Sequence, residues 1–147
     1  MTDSTGSDDS PHSELVGWIQ GMPIVQHLGI NVEHVEAGHA RLAMPYRREL
    51  SHADDGTFQG SAVGALANFA AGAASAALLP DGGRVMTVDF TVKLVAPARG
   101  SMLVADARTL RPGRTLMTGV VEVHAVEGGD RLLCAWALVG LRVIPPA

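Results

Sequence analysis

The chain has 147 residues, 47% hydrophobic and 18% charged, with a formal net charge of −4. That length suits one domain with a sizeable core, and the acidic balance, with no lysine- or arginine-rich run, argues against nucleic acid as the main partner. A single cysteine, Cys134, rules out an internal disulfide and points to a reducing, cytoplasmic setting.

Residues 1–11 are acidic and polar and lack the basic start and apolar stretch of a signal peptide. They read as a disordered tail ahead of one domain over residues 12–147. His12 to Gln20 spaces Leu15, Trp18 and Ile19 along one side, predicting a short amphipathic helix that Gly21 and Pro23 end. GINVEHV and HARLAM alternate apolar and polar residues around Glu36-Ala37-Gly38, a hairpin signal. PYRRELSHADDG reads as polar loop. From Thr57 to Pro80 no side chain is charged. The stretch is roughly as long as a membrane span, but Ala and Gly dominate it and Gln59, Ser61, Asn68 and Ser75 interrupt it. Asp54, Asp55 and Asp81 flank both ends, so the reading is a helix buried in protein, not membrane.

Pro80-Asp81-Gly82-Gly83 stops that helix. Four alternating runs follow: RVMTVDFTVKLVA, SMLVADARTL, RTLMTGVVEVHAV and RLLCAWALVGLRVI. Turn-forming Pro97-Ala98-Arg99-Gly100, Arg111-Pro112-Gly113 and Glu127-Gly128-Gly129-Asp130 separate them, predicting an antiparallel meander of four strands. Cys134 falls in the last strand as a small buried hydrophobe. A hairpin, one long helix and a meander make an α+β layout. A helix apolar nearly all round must be covered nearly all round, and Ala and Gly let a sheet close on its backbone. The sheet is therefore expected to curl over the helix. Its open edges predict a dimer with a continuous sheet.

Gly56-Thr57-Phe58-Gln59-Gly60-Ser61, then Ala65-Leu66-Ala67-Asn68, resembles the G-T-x-H-G-G segment and A-L-A-D helix of PaaI-like acyl-CoA thioesterases of the hotdog fold. MTVDFTVKLVAPARG is similar to the central strand and proline turn of that family, and LRPGRT to its turn into the next strand. The resemblance covers about Ile24 to Val143. It implies hydrolysis of an acyl-CoA thioester, with coenzyme A as part of the substrate and no other cofactor. It also implies composite sites between subunits of a dimer or dimer of dimers. Gln59 and Asn68 stand where the family has histidine and aspartate, and Thr87 where it carries a hydroxyl lining the pocket.

Thioester hydrolysis needs a polarised carbonyl and an activated water or a carboxylate nucleophile. The Gly60 N–H, at the start of the helix, suits a developing oxyanion; the bland alternative is a glycine that only permits a tight turn. Asn68 stands eight residues on, about 12 Å along a helix, too far for both to grip one carbonyl within one chain. Asparagine is no base, and loss of a general base costs about 10²–10⁴-fold in rate. Asn68 is left to orient water or substrate, or to cross-link two helices as a buried amide. Gln59 can donate to the thioester oxygen, with Ser61 beside it as a substrate-binding residue.

Arg99, Arg111 and Arg114 lie near turns and are candidate grips on the CoA phosphates at one end of the pocket, each also readable as a solvated charge. Glu49, Asp54 and Asp55 read as solvated loop carboxylates, and Asp89 as a structural hydrogen-bonding residue. His12, His27, His34, His39, His52 and His124 show no metal-ligand spacing, so no metal is expected. G-x-S-x-G is absent, and the long helix offers no His–Asp or His–Glu pair of a hydratase. Two functions stay open: slow thioester hydrolysis, and non-catalytic binding of an acyl thioester or hydrophobic ligand.

Overall fold

The structure, a computed structural model, describes residues 11–146. The tail read as disordered lies, except for Pro11, outside the described residues. The elements are α1 (Ser13–Gln20), α2 (Pro23–Leu28), β1 (Asn31–Glu36), β2 (His39–Pro45), a 3-10 turn (Arg48–Leu50), α3 (Gly60–Ala76), β3 (Arg84–Leu94), β4 (Met102–Arg111), β5 (Leu116–Glu127) and β6 (Asp130–Ile144). Among the described residues no helix is long and apolar enough to cross a membrane.

Helix α2 was not anticipated. Pro23 looks like a terminator, yet its fixed φ also suits the first turn of a helix, and that is its place here. Gly29, at φ 72°, closes the helix in the left-handed conformation. The expected polar loop holds the 3-10 turn, which buries Leu50.

All six strands form one antiparallel sheet in the order β1-β2-β4-β5-β6-β3. The predicted meander holds for β4, β5 and β6. Strand β3 breaks it, pairing with β6 at the far edge. Two causes are visible. The free side of β4 is taken by β2, in register from His39–Arg108 to Pro45–Met102. Beyond β3, the N–H groups of Val95 and Ala96 both donate to the Cys134 carbonyl, so the chain holds to β6 until Pro97 turns it away.

Helix α3 lies against β2, β4, β5, β3 and β6, burying Val63, Leu66, Ala67, Ala70, Ala71 and Ala74 completely. Its small residues are what allow this. A Cβ at Gly119 of β5 would stand 3.1 Å from Ala71 Cβ, so strand and helix touch backbone to backbone. Leu42, Leu103, Val121, Val139 and Leu141 complete the core. Cys134 belongs to it: the thiol is fully buried and donates to the Val123 carbonyl at 3.3 Å. Burial pushes that thiol up to about 11.

Candidate functional site

The residues singled out from the sequence gather at two places on α3. The first is its N-terminus. Gln59 is the N-cap, extended at φ −71° and ψ 147°. Its Oε1 accepts from the Ser61 N–H at 2.6 Å and from the Ser61 hydroxyl, satisfying one orphan donor of the first turn. The Gly60 N–H has no acceptor among the described residues. A Cβ at Gly60 would meet Leu94 Cδ1 of β3 at 3.1 Å, so glycine lets the helix start tight against the strand. Gln59 and Ser61 border a surface groove of about 340 Å³ shared with Glu49 and Ser51. Glu49 is thus the carboxylate of that groove.

The second place is mid-helix. Thr87 Oγ1 donates to Asn68 Oδ1 at 2.5 Å, tying α3 to β3 just before a bulge between Thr87 and Asp89. The bond divides what each group still offers. Asn68 keeps a second lone pair on Oδ1 and two Nδ2–H donors; Thr87 has spent its proton, leaving lone pairs. Both line a cavity of about 100 Å³ whose other walls include Trp18, Met22, Phe69, Ala73 and Leu141. Helix α1 roofs this cavity. Gln20, at its end, donates from Nε2 to the Ile30 carbonyl at 2.9 Å and accepts the Val32 N–H at 2.8 Å. The Arg84 guanidinium stacks 4.3 Å from the Trp18 ring. The sequence showed the apolar side of α1 but not what it covers.

The arginines do not converge within one chain. Arg99 bridges to Thr57 at the Gly60 end of α3. Arg111 and Arg114 flank the β4–β5 turn, at the end where Ser75 of α3 meets Thr109 of β4 at 3.0 Å. Within one chain, then, Arg99 lies at one end of α3 and Arg111 and Arg114 at the other. Asp54 and Asp55 brace their own loop: Asp54 accepts from the Tyr46 hydroxyl at 3.1 Å and Asp55 from the Thr57 N–H at 3.0 Å. The Thr57 bond holds the Asp55 carboxyl below its ordinary range. Asp89 was expected to make a structural hydrogen bond. It is exposed and makes none among the described residues, lying over Gly140, where a Cβ would fall 2.2 Å from its Oδ1. His34, Glu36 and His39, without a ligand signature in the sequence, come together on the β1–β2 hairpin.

A six-strand antiparallel sheet over one long central helix of small residues is the hotdog fold of thioesterases. The chain belongs to the family described as Domain of unknown function (DUF4442), whose model matches residues 15–130. It is 32% identical over 131 residues to a candidate esterase of Halobacterium salinarum, covering 86% of this chain and 85% of that one. The crystal structure of a thioesterase family protein from Silicibacter pomeroyi is similar with a TM-score of 0.83 at 26% identity, over 88% of this chain and 94% of the other. A thioesterase from Haemophilus influenzae shares the fold with a TM-score of 0.79 at 22% identity, over 90% of each chain.

Proposed function

We propose that this protein hydrolyses acyl-CoA thioesters at a site shared between two chains, as its resemblance to PaaI-like thioesterases implies. The observation that carries the reading is the Asn68–Thr87 pair set in the wall of an otherwise apolar cavity. Its apolar walls suit the end of an acyl chain and the polar pair suits the thioester. At about 100 Å³ the space in one chain is below the roughly 300–1,000 Å³ of a ligand pocket, and a partner chain would have to complete it.

A second copy supplies the other half. Strand β3 is a long edge strand, with Val88, Phe90 and Leu94 each about half exposed. Such edges are normally covered. Pairing with β3 of a partner continues the sheet and brings the partner's Gly60 end of α3 toward this chain's Asn68. The Gly60 N–H and Gln59 Nε2 then polarise the thioester oxygen. Thr87 Oγ1 accepts an O–H of the attacking water, turning the water's lone pair to the carbonyl carbon, while Asn68 Nδ2 donates to the site. Water adds, the oxyanion rests on the Gly60 N–H, and collapse breaks the C–S bond and releases the thiolate of CoA. The residues lining the Asn68 cavity include no carboxylate. The water's proton leaves to solvent or to Glu49 in the partner's Gln59 groove, and without a base in the cavity itself turnover is slow.

Thiol release from a panel of acyl-CoAs tests this. Turnover that falls in Asn68→Ala and in Gln59→Ala supports it; a wild-type rate unchanged in both variants removes the site. One observation favours a second reading, binding without catalysis: an amide occupies the place where hydrolysis wants a carboxylate. Tight calorimetric binding of a non-hydrolysable CoA analogue, with no thiol release, selects that reading.

A further inference from the structure

The β1–β2 hairpin carries a cluster that thioester chemistry leaves unused, and a bulge builds it. Before Glu33, Val32 pairs with Leu42; after it, His34 pairs with Arg41 and Glu36 with His39. The extra residue shifts the register so that Val35 packs on the core while His34 and Glu36 turn outward. Glu36 Oε1 then lies 3.4 Å from His34 Nε2 and 3.1 Å from His39 Nδ1. Donor atoms around a tetrahedral zinc ion, with bonds of about 2.0–2.1 Å, stand roughly 3.3 Å apart. Both spacings to Glu36 match that, and the three donor atoms all lie within 4.8 Å of one another.

A second feature points the same way. His39 Nε2, the nitrogen facing away from Glu36, lies 3.6 Å from Asp106 Oδ1. Metal-bound histidines commonly turn their other nitrogen to a carboxylate, which fixes the tautomer. Asp106 is itself held by Arg41 Nε at 2.9 Å, with Arg131 Nη2 at 3.8 Å. At 3.6 Å the His39–Asp106 approach is an ion-pair contact, longer than a hydrogen bond; a proton on Nε2, which faces Asp106, leaves the Nδ1 lone pair for the cluster. All of these ligands stand on paired strands rather than a loop.

We propose that His34, Glu36 and His39 bind one divalent transition-metal ion, zinc foremost, with Asp106 orienting His39 and a fourth position open to water. Two imidazoles and a carboxylate suit zinc among the first-row ions. The ion clamps edge strand β1 to β2, across the sheet from β3. The site is thus separate from the Asn68 cavity and stands whether or not thioesters are the substrate. The competing arrangement, two imidazoles hydrogen-bonded to Glu36 with no ion, yields no saturable binding.

The test uses the full chain without a histidine tag, stripped with chelator. Zinc is titrated by calorimetry, and cobalt(II) by visible absorption. Expected are one site per chain and the intense cobalt band of four-coordination, both abolished in His34→Ala and in His39→Ala. Glu36→Gln weakens binding, and Asp106→Asn weakens it by about 10–100-fold. Metal-free melting temperatures of His34→Ala and Glu36→Gln, at the two exposed positions, match the wild type. Equal zinc binding by the wild type and a His34→Ala/His39→Ala double variant overturns the site, as does a folded wild type that shows no saturable binding.

Discussion

Asn68 and Thr87 share one proton in a way that decides the chemistry each can still perform. Aspartate at position 68 keeps an oxygen for Thr87 and adds the base that asparagine lacks. Asn68→Asp is expected to raise thiol release toward the roughly 10²–10⁴-fold that a general base supplies; no gain in that assay would count against the assigned roles. Cys134 gives a second prediction at this scale. Burial lifts its thiol from 9.0 to about 11, so between these values the folded chain keeps a proton that the unfolded chain loses. The stabilisation is full below about pH 9 and disappears as pH rises through about 11, a loss of roughly 3 kcal/mol at most. Urea melts at about pH 8 and about pH 10.5 should show a larger drop for the wild type than for Cys134→Ala. Parallel drops would mean the thiolate is tolerated inside.

At the scale of elements, α1 does more than its length of 8 residues announces. It closes the cavity, with Trp18 as the largest part of the roof and Arg84 holding the ring. Trp18→Ala opens that end. Its kcat/KM ratio for a bulky over a short acyl-CoA is expected to rise by about 10-fold or more, the range pocket size alone can give. A ratio unchanged from the wild type would place the acyl group elsewhere. Helices α1 and α3 and the β1–β2 hairpin were readable because their signals are local: i, i+3, i+4 spacing in α1, a long uncharged run in α3, alternation around Gly38. Helix α2 was missed because Pro23 can begin a helix as well as end one. The candidate cluster at His34, Glu36 and His39 was missed because the bulge that turns His34 and Glu36 toward His39 is a pairing event between β1 and β2.

For the whole molecule, the decisive question is what covers β3. It lies at the edge of the sheet with Val88, Phe90 and Leu94 about half exposed, and such edges are normally covered. Phe90→Glu puts a charge on that edge strand. On the proposed β3–β3 pairing, sedimentation should show a dimer for the wild type and a monomer for this variant, and thiol release should fall with it, because Gly60 and Asn68 of one chain stand about 12 Å apart along α3. A monomeric variant with full activity would place the entire site within one chain.

By itself the sequence determined the long small-residue helix, the strands as separate alternating runs, and the two stretches of α3 where Gln59, Gly60, Asn68 and their neighbours fall. These follow from spacing along the chain, which local sterics and burial read directly. Only the tertiary structure decided that β3 leaves its neighbour in sequence for β6, that α1 roofs the cavity beside Asn68, and that Thr87 donates to Asn68. Each of these joins residues far apart in the chain, and no periodicity within one segment encodes the partner it will find across the sheet.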